Sequence, residues 1–234
     1  MLTVSPKFLP YFKGFCSSPS VIMLFVYMKS RFSLSYRDLE EMMIIRGAEV
    51  DHSTLQRWVK RFVCLIDKRV RQRKKPVNGS WRMDETYIKL NGKWVYLYRA
   101  VDSQGHTVDF FLRAKRDASA ARAFFRKAFK ENGRPEKVTV DKSGSNKAAL
   151  DSFNKPIPEQ EHIEIRQIKY LNNIVEQDHR FIKKRTRLTL GFKSFQSAKA
   201  TISGIENIRM IQKGQILGQT ACNSAFHNFA NLMA

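Results

Sequence analysis

From Trp81 onward, short β-branched or aromatic runs alternate with amphipathic helical ones, and the order in which they come limits the folds open to the chain. Trp81–Leu90, Lys93–Val101 and Thr107–Leu112 are rich in Thr, Tyr, Ile, Val and aromatic residues and read as strands. Only two to five residues separate them, at Asn91-Gly92 and around Gly105, which predicts an antiparallel meander. Asp117 offers a cap for a helix carrying Phe124, Phe125, Ala128 and Phe129, stopped near Gly133. After Pro135, Lys137–Asp141 reads as a fourth strand, Asn146–Phe153 as a helix and Ile163–Gln167 as a fifth strand; Asn173 then opens a further helix. The predicted class is α/β, a mixed five-stranded sheet with flanking helices in the order β-β-β-α-β-α-β-α.

That order resembles a ribonuclease H-like fold, in which strands one and four are neighbours. In such a fold Asp84, on the first strand, and Asp141, closing the fourth, project to one edge, and the helix from Asn173 lays Glu176 over them. Asp is depleted in strands and rarely buried unpaired, so Asp84 is hard to explain structurally. Asp141 taken alone reads equally well as a turn or helix-cap residue. Three adjacent carboxylates raise one another's pKa values, and a divalent cation removes that conflict. An oxygen-only donor set suits Mg²⁺, with Mn²⁺ as a substitute. Two such ions can activate an attacking oxygen and stabilise a leaving one in an in-line displacement at phosphate. We expect Asp84 to be the ligand shared by both ions, with Asp141 and Glu176 each completing one shell. Glu85 should point to the opposite face of its strand and is not assigned to the metals.

Charge names the partner class. The 234 residues carry 42 Lys and Arg against 21 Asp and Glu, a net +21 with a pI near 10.1. Such an excess favours a polyanion, because binding nucleic acid releases its counterions. The 12% aromatic content and clear hydrophobic periodicity distinguish the chain from a basic packing tail. Cys16, Cys64 and Cys222 are scattered without ligand spacing, which supports neither a disulfide framework nor a zinc site. The longest apolar stretch, Val21–Met28, is eight residues, too short to span a bilayer, and the first twenty residues lack a secretory-signal pattern. No membrane partner is expected.

Ahead of Trp81 the chain reads as all-helical, and residues 1–80 hold 15 basic and 6 acidic side chains. A helix over Val21–Phe32 is entered past Pro19. Ser35 and Asp38 form a capping pair for a second helix closed by Gly47, and Ser53 with Gln56 offers another for a third helix burying Leu55, Trp58, Val59, Phe62 and Ile66. The arrangement resembles a helix-turn-helix module. Thr54, Gln56, Arg57, Lys60 and Arg61 lie off the apolar stripe, where they are suited to a DNA groove; a helical hairpin with a solvated basic face is the alternative. Six basic residues in Lys68–Lys75 and the break at Pro76-Val77-Asn78-Gly79-Ser80 mark a linker. The predicted domains are 1–75, helix-turn-helix DNA-binding with a basic linker; 76–215, catalytic; and 216–234, a peripheral tail. Trp81, Trp94, Tyr96 and Tyr98 are expected in the core or on a sheet face, and Thr201–Ile211 as a packing helix.

The ordered motifs carry a wider resemblance. Leu34-Ser35-Tyr36-Arg37-Asp38-Leu39-Glu40-Glu41-Met42-Met43, Val50-Asp51-His52-Ser53-Thr54, Arg57-Trp58-Val59 and Trp81-Arg82-Met83-Asp84-Glu85-Thr86-Tyr87-Ile88-Lys89 stand in the first half. Tyr96-Leu97-Tyr98-Arg99-Ala100-Val101-Asp102, Lys169-Tyr170-Leu171-Asn172-Asn173-Ile174-Val175-Glu176-Gln177-Asp178-His179-Arg180 and Leu190-Gly191-Phe192-Lys193-Ser194-Phe195 follow. With 34 residues between Asp141 and Glu176, nearly the whole chain resembles bacterial insertion-sequence transposases of the IS6 and IS26 type, which are DDE enzymes. The resemblance implies Asp84, Asp141 and Glu176 as catalytic metal ligands and Lys183 as a basic catalytic position. His179, Arg180 and Lys183 follow Glu176 by three, four and seven residues on one helix face, placed to meet flanking phosphates. Two readings stay open for Arg180 and Lys183, phosphate contacts or surface charges with Arg180 pairing with Glu176; Lys142 is either a DNA contact or a solvated lysine. Asn172 and Asn173 suit helix capping. Ser143-Gly144-Ser145-Asn146 departs from the family's usual Ala-Pro-containing stretch, and the first twenty-eight residues lack some of its aromatic and arginine positions.

The implied activity is Mg²⁺-dependent cleavage at terminal inverted repeats of double-stranded DNA and strand transfer to a target, through cointegrate formation. A homodimer or larger assembly and a cytoplasmic, nucleoid-associated location in bacteria are implied with it. Two alternatives share parts of this pattern: a ribonuclease H-like nuclease or resolvase that cuts without joining, and a DNA-binding regulator that needs only residues 1–80.

Overall fold

The structure, a computed structural model, describes residues 2–142, 144–187, 191–220 and 222–234, without the side chains of Lys169, Tyr170 and Arg187. Ser143 of the departing loop and Leu190 of the last matched motif lie outside the described residues. The chain divides into two compact units, Pro76–Lys184 and Met1–Lys75 with Arg185–Ala234.

The first of these is built on the sheet. Strands β1 (Ser80–Leu90), β2 (Lys93–Asp102) and β3 (Thr107–Arg113) form the expected meander, followed by helix α4 (Ala118–Asn132), strand β4 (Lys137–Thr139), helix α5 (Gly144–Asn154), strand β5 (Glu164–Arg166) and helix α6 (Asn173–Arg187). Helices α1 (Pro19–Arg31), α2 (Tyr36–Ile45) and α3 (His52–Arg73) precede them in the chain. The strand order is β3-β2-β1-β4-β5, with β1 antiparallel to β2 and parallel to β4. This is the ribonuclease H-like arrangement, and β1 sits at its centre.

Local chemistry explains the element ends. Asn91, at φ 51°, and Gly92, at φ 77°, supply the two positive φ angles that a two-residue hairpin turn needs. The Asp117 carboxylate accepts from Ala120 N to cap α4, and Gly133 takes φ 79° where the helix stops. Strand β4 is shorter than expected. It pairs only through Thr139; Val140 N still donates to Arg166 O at 2.9 Å, and Asp141 opens the loop. One face of the sheet packs Trp81, Met83, Tyr98 and Ala100 against Phe124, Phe125 and Ala128 of α4 and Leu150 of α5.

The second unit is helical: α1 (Pro19–Arg31), α2 (Tyr36–Ile45), α3 (His52–Arg73), α7 (Phe195–Gln212) and α8 (Ala225–Met233). Ser35 and Asp38 make a reciprocal capping box, with Ser35 N donating to Asp38 Oδ2 at 2.6 Å and Asp38 N to Ser35 Oγ at 3.0 Å. Helix α3 corrects one expectation. Its cap is Asp51, which accepts from Ser53 N at 2.7 Å, so the helix starts at His52 rather than after Ser53. The stripe Leu55, Trp58, Val59, Phe62 and Ile66 is buried, and Phe12 stacks on Phe62 with centroids 4.5 Å apart.

Ile202, Ile205 and Ile208 of α7 are buried, as their spacing predicts. Residues beyond Ile216 differ from a peripheral tail: Ile216, Phe229, Leu232 and Met233 are buried, and Ser5 N donates to Met233 O. The apolar side of α8 gives the physical reason, since leaving those side chains in water costs roughly 1.5–3 kcal/mol each. Among the described residues no helix is long and apolar enough to cross a membrane.

Candidate active site

Register brings the first two carboxylates together. In the parallel β1–β4 pair Arg82 lies opposite Thr139, the last paired rung, and Asp84 and Asp141 each follow two residues further along their chains. Asp84, Glu85 and Asp141 each offer one carboxylate oxygen within 4.8 Å of the others. Glu176 is half-buried on α6 and is not one of these three.

The remaining contacts show how α6 meets the sheet. His179 is buried with Nδ1 3.4 Å from Asp84 Oδ2. Glu176 lies three residues earlier, hence one turn away on the same helix face. Asn172 Nδ2 donates to Met83 O at 3.5 Å, tying the start of α6 to the backbone just before Asp84. Asp178 accepts from Arg99 Nη1 at 2.6 Å, with both side chains almost wholly buried and Thr107 Oγ1 also engaging Arg99. Removing one partner of such a pair leaves an uncompensated charge and costs about 3–5 kcal/mol, so this contact fixes the helix against β2. Arg180 and Lys183 are exposed on α6, and Lys142 is exposed beside Asp141.

Glu85 does project to the other side of its strand from Asp84, since it shares its face with Trp81 and Met83. It nonetheless reaches the site, because Asp141 lies past the end of β4, where either face is accessible. Arg116 joins the two acids, with Nη2 3.3 Å from Glu85 Oε2 and 3.1 Å from Asp141 Oδ2. Asn146, fully buried at the start of α5, donates from Nδ2 to Asp141 Oδ1 at 3.2 Å. Burial pushes the Glu85 carboxyl above its ordinary range; Arg116 and Asn146 oppose this, while Asp141 and Asp84 reinforce it. Burial pulls the Arg116 guanidinium down, but Glu85, Asp141 and Tyr87 outweigh that and raise it.

The donor set fits a hard divalent cation. Its carboxylates offer only oxygen, and the buried oxygens Glu85 Oε1 and Asn146 Oδ1 have no hydrogen-bond partner. A second acidic group, Glu40, Asp51 and His52, is otherwise engaged: Asp51 caps α3, and Glu40 accepts from His52 N at 3.2 Å.

A protein-family model described as a DDE domain matches residues 78–215. The transposase for insertion sequence-like element IS431mec from Staphylococcus aureus is 40% identical over 219 residues, covering 91% of this chain and 96% of that protein. This chain belongs to the DDE transposases of bacterial insertion sequences. The transposase for insertion sequence element IS257 in transposon Tn4003, also from Staphylococcus aureus, matches with the same identity and coverage. Among solved structures, the HTLV-2 integrase catalytic core domain in complex with magnesium aligns with 67% of this chain and 99% of its own, at 16% identity and a TM-score of 0.47. The BIV integrase catalytic core domain aligns with 66% and 95%, at 13% identity and a TM-score of 0.43. A DDE transposase is a polynucleotidyl transferase that cleaves and transfers DNA strands with divalent metal.

In this transposase the sequence motifs gave no role to Arg116, and marked Asn146 only as the start of a helix and the end of the stretch that departs from the family pattern. Arg116, just after β3, is carried to Asp141 by the tertiary fold, whereas Asn146, in the first turn of α5, reaches it from five residues further along the chain. The expected DNA-facing positions occupy one region of α3: Arg57 and Arg61 are exposed, Thr54, Gln56 and Lys60 are half-buried, and Arg57 Nη2 donates to Thr54 Oγ1 at 2.7 Å.

Proposed function

We propose that Asp84, Asp141 and Glu176 hold two Mg²⁺ ions, or Mn²⁺ in their place, with Asp84 shared, and that the protein cleaves at terminal inverted repeats and joins the resulting 3′-hydroxyls to target DNA. The observation that supports this reading is that carboxylate oxygens of Asp84 and Asp141 lie within 4.8 Å of each other, while His179, on the Glu176-bearing helix, has Nδ1 3.4 Å from Asp84 Oδ2. Bound metal would supply charge neutralisation at the reacting phosphate and activation of the attacking oxygen. Around it, Asn146 orients Asp141, Arg116 balances the local negative charge, and the Arg99–Asp178 pair holds α6 in place. Exposed Arg180 and Lys183 are suited to the phosphates beside the cut, and Lys142 to the strand passing Asp141.

Residues 1–75 act in this reading as the end-binding module, through Thr54, Gln56, Arg57, Lys60 and Arg61, and residues 76–215 as the catalytic domain; residues 216–234 stay outside both tasks and pack with the helices. Cointegrate formation requires two ends held together, hence a homodimer or larger assembly working at the nucleoid in the cytoplasm.

Labelled terminal DNA incubated with Mg²⁺ and target DNA tests the proposal. Wild type should cleave and join, and Asp84→Ala should lose both by at least about 100-fold. Cleavage without joining would favour a nuclease or resolvase; footprinting without any cleavage would favour a regulator.

A further inference from the structure

The sheet face that carries Glu85 continues outward into uncovered aromatic surface. In the β1–β2 register Glu85 pairs with Tyr98, Tyr87 with Tyr96 and Lys89 with Trp94, so all six side chains share one face. Tyr98 is buried, whereas Tyr87 is 48% exposed and Trp94 58% exposed. Tyr87 meets Trp94 edge-on with centroids 6.1 Å apart and lies 5.5 Å from Tyr96. Strand geometry sets Tyr87 one side-chain repeat, about 7 Å, beyond Glu85. Arg116 contacts both Glu85 and Asp141. The strip therefore begins at the carboxylate cluster.

Its surroundings are cationic. Between Thr86 and Arg99 there is no acidic residue, Lys89 and Lys93 are exposed at the hairpin, and Arg113 lies opposite Tyr96 on β3. Two large aromatic rings left in water beside lysine and arginine side chains match the way single-stranded nucleic acid is held: bases stack on rings while cations follow the phosphates. A protein partner covering the same rings would need acids of its own to answer these charges.

We propose that Tyr87 and Trp94 form a stacking platform for an unpaired nucleobase of the DNA strand whose phosphate lies at the carboxylates. The proposal rests on the DDE reading and adds a ligand to it: a base freed from its pair near the cut, read by its π-face and so with little sequence preference.

The test uses the full chain without divalent cation. It compares binding to a fully paired duplex with binding to the same duplex carrying an unpaired end that holds a fluorescent adenine analogue. Wild type should prefer the unpaired end and quench the analogue. Tyr87→Ala and Trp94→Ala should each lower that preference about tenfold, Trp94→Phe should keep most of it, and thermal midpoints should stay unchanged because both rings are exposed. Affinities for paired and unpaired ends that fall together, or do not fall, overturn the proposal. So does an intact preference accompanied by an altered sedimentation coefficient in Trp94→Ala, which would make the strip a protein contact. Because binding is read without metal, a failure of strand cleavage leaves this measurement standing, and a lost base preference leaves the carboxylate reading standing.

Discussion

Asp141 owes its orientation to neighbours that are not themselves acids. One oxygen accepts from buried Asn146 and the other meets Arg116, which also engages Glu85. Asn146→Ala removes a hydrogen bond from a proposed ligand without altering the ligand, and such changes weaken metal affinity about 10–100-fold. The Mg²⁺ concentration for half-maximal cleavage should rise by that factor; an unchanged requirement would show that Asn146 serves folding alone. Lys29 makes a residue-scale case in the helical unit. Its Nζ donates to Leu34 O and lies 4.5 Å from the Tyr36 ring centroid, and burial pulls it from 10.5 to about 8, with Asp38 opposing. The folded state thus disfavours the charged lysine, so stability falls as pH drops from 10.5 towards 8 and is flat below. Lys29→Met should therefore be more stable than wild type near neutral pH by up to about 3 kcal/mol, less the lost contacts, and most of that gain should vanish by about pH 10. Urea unfolding of both proteins at the two pH values checks this; an equal difference at both would contradict it.

At the scale of elements, helices α1 and α7 meet where neither can carry a larger side chain. A Cβ added at Gly204 would lie 2.4 Å from Ser30 Oγ and 3.4 Å from a Val63 methyl. Ser30 cannot simply swing away, because its hydroxyl donates to Val26 O at 2.8 Å inside the buried interface. Gly204→Ala should destabilise by about 1–3 kcal/mol through overpacking, although alanine alone favours helix by roughly 1 kcal/mol. Thermal unfolding measures the sum, and a raised midpoint would mean that the helices separate freely there. Element ends differ in how well they can be read ahead of the fold. Asp117 and the Ser35–Asp38 box were legible because each cap is closed within four residues. Asp51 was not separable from Ser53, since both are good caps two residues apart and α3's packing decides between them. The short β4 escaped as well: the run Lys137–Asp141 is uniformly strand-like, and only its pairing partners determine that Thr139 is the last paired rung.

Across the whole molecule, what was legible depended on range. The α/β order, the central position of β1 and the meeting of Asp84 with Asp141 follow from element sequence and parallel register. The burial of α8, the reach of Glu85 past the end of β4 and the arrival of Arg116 depend on contacts far apart along the chain, and no local pattern announces them; Asn146 lies only five residues from Asp141, but nothing in its type marks it as that carboxylate's partner. Trp94 shows the same limit in reverse: its strand position was plain, but an exposed ring looks like a core residue until the hairpin end of its sheet face is seen to be uncovered. The net charge of +21 fits a DNA-handling enzyme but does not say which side chains do the chemistry. The central claim is that Asp84, Asp141 and Glu176 act as one metal-holding unit. Its most direct test is Mg²⁺-dependent cleavage of labelled terminal DNA by Asp84→Asn, Asp141→Asn, Glu176→Gln and the triple variant, with DNA binding measured alongside. Each single variant should lose cleavage as completely as the triple while still binding DNA. Substantial cleavage by Glu176→Gln, with Glu85→Gln inactive, would contradict the assignment and move the third ligand from α6 to β1.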